Sequence, residues 1–173
     1  SIGHLMTEPQ SAKDKAEGIL SKTAKTHVEN VWIRVKYDRR KYVTSKYLEK
    51  GLAVEDDSIA LVGAVNGIIY QKNEEQFENE FLSGCPDIID TGIIDTKSNW
   101  DLYTFYRGEL TDLYEWQLRG YMALTKVKTA ILAYCLINTP EHILQAELTK
   151  ASWPLINAEK YTTDEKILKR LEE

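Results

Sequence analysis

The sequence predicts an α/β protein: a central mixed β-sheet that carries one short hairpin, flanked by helices on both faces. Three observations lead there. Ile88-Ile89 and Ile93-Ile94 are β-branched pairs around Asp90-Thr91-Gly92, a hairpin signal in which the glycine is expected to supply a positive φ. Thr129 to Ile137 is a nearly continuous apolar run of strand length, the pattern of a strand buried on both faces. Residues 45–70 and 113–126 carry hydrophobes at helical spacing instead.

Taken in order, residues 11–26 are rich in Lys and Ala and read as a short surface helix. Val28 to Tyr37 places Val31, Ile33 and Val35 in alternation, which predicts a strand or an extended connector. From Ser45 to Tyr70, Leu48, Leu52, Ile59, Val62 and Ile69 recur at intervals of three, four and seven, so this stretch reads as helix with one apolar stripe. Glu55 falls within the stripe, and Asp56 and Asp57 point elsewhere. Asn73 to Asn79 is polar and turn-like, and Phe81 to Lys97 holds the hairpin. With a three-residue loop the register sets Ile89 opposite Ile93 and Asp87 opposite Asp95. The two-residue period of a strand then adds Lys97 to the face of Asp95. Ser98 to Asp112, with Trp100, Tyr103, Phe105 and Tyr106, is too irregular to assign. Leu113 to Lys126 predicts a helix with Gln117 and Tyr121 one turn apart on one face. Asn138-Thr139-Pro140 stops the apolar strand, with Thr139 a candidate cap and Pro140 suited to the first helical position. Glu141–Lys150 and Thr163–Leu171 follow as helices.

A chain of 173 residues makes one domain, 1–173, with Ser1 to Leu5 ahead of Met6 reading as an expression scar. The composition is that of a soluble globular protein, and no apolar run approaches the ~20 residues needed to span a bilayer. Cys85 and Cys135 are too few for a disulfide framework or a four-thiolate metal site, so free thiols and a reducing, cytoplasmic setting are expected. The net charge of −5 is unevenly spread: Arg34 to Lys50 contains seven bases and two acids, interleaved with Tyr37, Tyr42 and Tyr47. Local charge decides where a polyanion docks, which makes Arg39, Arg40, Lys41 and Lys46 candidates for nucleic-acid contact. A solvated surface with ordinary Tyr packing is the alternative.

Opposed strand side chains lie roughly 4.5–5.5 Å apart, and like charges there repel. Asp87 against Asp95, with Lys97 alongside, therefore calls for a compensating cation. A carboxylate in a helix stripe is costly unless neutral, paired or metal-bound. Singly, Glu55 could pair with a core Lys or Arg, Asp87 could be a strand-edge residue, and Asp95 could pair with Lys97. A hard divalent cation with oxygen ligands accounts for all three acids together. Beside it Lys97 would orient or deprotonate a water, the arrangement expected for phosphodiester hydrolysis.

Gly84-Cys85-Pro86-Asp87 followed by Asp95-Thr96-Lys97 resembles the PD-(D/E)xK nuclease core. Lys50-Gly51-Leu52-Ala53-Val54-Glu55 resembles the preceding helical motif that contributes a Glu, and Gln117-Leu118-Arg119-Gly120-Tyr121 the Q-x-x-x-Y signature of the RecB and lambda-exonuclease branch. Order and spacing are most similar to the YqaJ-like, phage-borne exonucleases, over about residues 45–140. The resemblance implies a restriction-endonuclease-like core with a catalytic hairpin. It makes Glu55, Asp87, Asp95 and the Thr96 carbonyl ligands of Mg²⁺ or Mn²⁺, and Lys97 the catalytic lysine. Gln117 and Tyr121 would line the site, and Arg119 is a weaker candidate for phosphate contact. Asp95 stands where many members carry Glu. The implied substrate is duplex DNA with ends, processed for recombination or repair in a bacterial host cytoplasm. Homo-oligomers and a single-strand annealing partner protein fit the resemblance without being fixed by it. An endonuclease of the same fold and a non-catalytic DNA-binding module are the alternatives. Trp100 to Tyr106 would lie at the mouth of the site, either stacking on bases or packed as an apolar lid.

Overall fold

The computed structural model describes residues 2–161, and the helix expected at Thr163–Leu171 lies outside them. Three helices lead in: α1 (Ile2–Leu5), α2 (Ala12–Ala16) and α3 (Lys22–Tyr37). Ser21 caps α3 by accepting from the Ala24 N–H, and Asp38 ends it in the left-handed region at φ 51°. The strand expected over Val28–Tyr37 is thus a helix. Val28, Val31 and Val35 are spaced by three and four as well as lying in partial alternation, and the caps at both ends favour the helical reading. Ile2 to Leu5, ahead of Met6, form α1. Residues of α1 pack on α3 and on the long helix near the centre of the chain, and a side chain at Gly3 would run into Leu113.

The helix expected from Ser45 to Tyr70 is two, α4 (Lys46–Ala53) and α5 (Glu55–Asn66), joined at Val54 and closed by a left-handed Gly67. Its buried row is Lys50, Val54, Ser58 and Ile59, whereas Leu48, Leu52 and Ile69 are 50%, 68% and 97% exposed. Next comes a two-stranded ribbon, β1 (Phe77–Glu78) with β2 (Ser83–Gly84). A three-stranded sheet follows: β3 (Ile88–Ile89), β4 (Ile93–Ser98) and β5 (Ala130–Cys135), in that spatial order. Strand β3 runs antiparallel to β4 with Ile89 opposite Ile93 as expected, and β5 runs parallel to β4, so the sheet is mixed. Between β4 and β5 the chain forms α6 (Leu102–Arg107), capped by a reciprocal Asp101–Thr104 box, and α7 (Asp112–Thr125). Helix α8 (Glu141–Tyr161) closes the described chain.

Alternation along β4 places helices on the two faces of the sheet. Ile94 and Ser98 face α5: Ile94 packs with Ile88, Ile59 and Val62, and Ser98 bonds to Ser58. Asp95 and Lys97 face α7, against Gln117 and Tyr114. Strand β5 lies at the sheet edge rather than buried on both faces, and its Ile131 is 59% exposed. At the hairpin turn Gly92 is not left-handed. A Cβ there would lie 2.7 Å from Thr129 Oγ1, so close approach of the residue that leads into β5 is the reason for the glycine.

Candidate active site

Strand β4 carries the centre of the site. Asp95 is 1% exposed, and its Oδ2 lies against the ammonium of Lys97, two residues on along the same face. That ammonium also reaches the Thr96 carbonyl at 3.4 Å and stands 5.4 Å from the centre of the Tyr114 ring. Burial pushes the Asp95 carboxyl above its usual range; Lys97 opposes the shift, while Asp87 and Glu55 reinforce it. The influence of Asp87 and Glu55 on Asp95 is the electrostatic sign that the three acids share one neighbourhood.

Asp87 does not stand opposite Asp95 in the ladder, as the register alone would have it. Strand pairing stops at Ile88, because Asn73 holds the two preceding carbonyls: its Nδ2 donates to the Pro86 oxygen at 2.9 Å and its backbone N–H to the Asp87 oxygen at 2.7 Å. The side chain of Asp87 then supplies what the ladder lacks. Its Oδ2 accepts from the Thr96 N–H at 2.6 Å and from the Thr96 hydroxyl at 2.8 Å. Asp87 is thereby fixed at the sheet edge, between the two faces.

Glu55 opens α5, followed at once by Asp56 and Asp57, where negative charge suits the positive end of a helix. Its Oε2 pairs with Lys72 at 3.2 Å, and the same lysine holds Asp56 at 3.1 Å. Glu55, Asp87, Thr96 and Lys97 line one cavity of about 490 Å³, together with Tyr47, Leu52, Tyr114 and Tyr134 from α4, α7 and β5. On the α7 face Gln117 Nε2 donates to the Tyr121 hydroxyl at 2.8 Å and approaches Asp95 Oδ1 at 3.5 Å. Burial pushes the Tyr121 phenol up to about 12, with Asp95 and Asp87 adding to the shift, so it stays protonated at neutral pH. A side chain at Gly84 would come 2.6 Å from the Tyr121 ring.

The outlying residues expected to meet a substrate are dispersed. Arg39, Arg40 and Lys41 are exposed in the irregular segment before α4. Lys46 pairs with Glu147 at 2.9 Å and lies 4.6 Å above the Trp100 ring, which in turn meets the edge of Tyr47. Trp100 is half-buried beside α4, so it is packed as well as presented. Arg119 is turned away: two positions from Gln117 on a helix is about 200° of rotation, and its guanidinium is held by Glu115 at 2.6 Å and by the Trp116 ring. Sequence reasoning missed Asn73, Lys72 and Tyr114, all of which contact the proposed ligands or Lys97. It also counted Lys50 as a surface base, whereas Lys50 is 1% exposed. None has a spacing signal, because each meets its partner only through the fold.

Among the described residues no three acidic, His or Cys side chains are gathered closely enough to hold a metal ion as they stand. The donor set nevertheless fits a hard cation, being carboxylates and one carbonyl. Each acid has a local partner in its place: Lys97 for Asp95, Lys72 for Glu55 and Thr96 for Asp87. The Lys97 ammonium contacts the oxygens of Asp95 and Thr96, two of those that the family resemblance implies for a cation. The two cysteines are free, Cys135 buried and Cys85 half-buried. No helix among the described residues is long and apolar enough to cross a membrane.

The whole chain superposes on a phage-related exonuclease from Haemophilus somnus 129PT, with 30% identity, a TM-score of 0.71 and coverage of 76% of that chain. An alkaline exonuclease from Laribacter hongkongensis, LHK-Exo, shares the fold over 86% of this chain and 79% of its own, with 15% identity and a TM-score of 0.61. LHK-Exo in complex with dAMP matches 99% of this chain and 85% of its own, with 14% identity and a TM-score of 0.59. No protein-family profile and no curated protein matches the sequence.

Proposed function

Because this chain belongs to the PD-(D/E)xK nuclease superfamily, in the lambda-exonuclease-like branch, we propose that it is a divalent-metal-dependent DNA exonuclease that trims duplex ends. One observation supports the chemistry most directly. Lys97, Asp95 and the Thr96 carbonyl are in contact on one strand, with Asp87 and Glu55 lining the cavity that Lys97 enters.

Glu55, Asp87, Asp95 and the Thr96 carbonyl would hold Mg²⁺ or Mn²⁺. When bound, the ion supplies positive charge for the phosphoryl oxygens and a more acidic water. The chain's own residues do the rest. Lys97, once Asp95 is engaged elsewhere, orients the attacking water and offsets the charge that grows on the phosphate oxygens in the transition state. Gln117 donates to the Tyr121 hydroxyl and approaches Asp95, and so steadies that acid from the α7 face. Thr96 aims the Asp87 carboxylate by donating two hydrogen bonds to a single oxygen. The likeness to the Haemophilus somnus exonuclease supports an exonuclease over an endonuclease of the same fold.

The test is digestion of end-labelled linear duplex and of covalently closed circular duplex with Mg²⁺. Loss of the linear DNA with the circle intact is expected, and Lys97→Ala should abolish the loss while DNA binding persists. Cutting of the circle would make the protein an endonuclease. Wild-type digestion by Lys97→Ala would remove the mechanism.

A further inference from the structure

Glu55 sits one residue beyond Val54, where α4 ends and α5 begins, and Val54 departs from helical geometry at φ −115°, ψ 18°. A carboxylate at the joint of two helices swings with that joint unless something holds it. Two buried side chains do, one on either side. Five residues before Glu55, the Lys50 ammonium donates to the Asn99 carbonyl at 2.7 Å and reaches the Trp100 carbonyl at 3.4 Å. Three residues after it, Ser58 donates to the Val54 carbonyl at 2.9 Å and meets the Ser98 hydroxyl at 2.7 Å. Because the one proton on Ser58 Oγ is given to Val54, Ser98 is the donor in that pair. Lys50 is 1% exposed and Ser58 is fully buried.

Both grips land on Ser98, Asn99 and Trp100, the three residues that follow Lys97. An ammonium taken out of water is costly, and burial lowers the pKa of Lys50. A hydrophobe would fill this place at less cost if filling were all that was needed. What a hydrophobe lacks is a directional hold on a carbonyl.

We infer that Lys50 and Ser58 are positioning residues that pin both sides of the α4–α5 joint to the end of β4, and so fix the Glu55 carboxylate relative to Asp87 and Asp95 for a divalent cation. The inference rests on the metal-dependent reading of the site and extends it. Lys50 is then no part of a DNA-facing basic surface, although it belongs to the basic stretch of sequence.

The test is a calorimetric titration of the intact chain with Mn²⁺, without DNA, on wild type, K50M, S58A, E55Q and the double variants K50M/E55Q and S58A/E55Q. K50M and S58A should each weaken Mn²⁺ binding at least threefold, and E55Q more. In the E55Q background neither change should weaken it further, because both act through the carboxylate already lost. S58A removes one hydroxyl and keeps the test readable should K50M fail to melt cooperatively. Wild-type affinity in the folded single variants overturns the inference, as does a loss that persists undiminished in the E55Q background, the mark of general packing. If the wild type binds Mn²⁺ and E55Q binds equally well, this inference falls alone. If the wild type binds none, the metal-dependent reading falls with it.

Discussion

At Gly92 the chain requires the absence of a side chain, since Thr129 Oγ1 would lie 2.7 Å and the Thr129 carbonyl 3.3 Å from a Cβ. Gly92→Ala should therefore lower stability by about 1–3 kcal/mol, as overpacking does. Adding Thr129→Ala should return part of the loss by removing the hydroxyl, though not the part due to the carbonyl. Denaturant midpoints of the three proteins check this, and an unchanged midpoint for Gly92→Ala would contradict it. The glycine was visible in the sequence as a turn residue, but its reason was not, because the close neighbour, Thr129, lies 37 positions later, just ahead of β5. The same limit applies at the site. Asp87, Asp95 and Lys97 stand out by type and spacing, whereas Lys72, Asn73 and Tyr114 acquire their partners from the fold alone.

Among the elements, α8 is held to α4 by a clasp in which Glu147 receives Lys46 at 2.9 Å and Lys150 at 2.7 Å. Lys150 and then Lys46 hold the Glu147 carboxyl below its ordinary range. A carboxylate with a depressed folded-state pKa contributes stability above its unfolded value and loses it as pH falls through the folded one. Wild type should thus lose melting temperature more steeply than Glu147→Gln between about pH 5 and pH 3. Parallel melting curves across that window would sink the idea. Helix α7 was legible because its apolar period runs over several turns. Helix α6 was not, since six residues give too short a period and the aromatic stretch from Ser98 to Asp112 was too irregular to assign. The joint at Val54 also escaped the pattern: hydrophobes continue across it at helical spacing, and the break shows only in the backbone, at φ −115° and ψ 18°.

For the molecule as a whole, sheet topology and charge distribution decide what approaches where. The mixed order of β3, β4 and β5 with helices on both faces follows from the sequence pattern, because a hairpin, a crossing helix and an apolar strand allow few other arrangements. The packing of α1 was not legible, as four residues at a terminus carry no usable period. A chain of net charge −5 can still meet a polyanion through its basic segment, where Arg39, Arg40 and Lys41 are exposed. Replacing all three by Ala in the Lys97→Ala background, without divalent cation, should flatten the slope of log K against log salt by roughly 2–3 units for duplex DNA. An unaltered slope would assign DNA contact to other residues. The pairing of Lys97 with Asp95 and of Lys72 with Glu55 means that the protein brings its own counter-ions. A divalent cation bound by Glu55 and Asp95, as proposed above, would have to displace both lysines, so tight occupancy and a ready lysine would oppose each other. Lys97→Met, stripped of its competing charge, should accordingly take up Mn²⁺ more avidly than the wild type while cutting nothing.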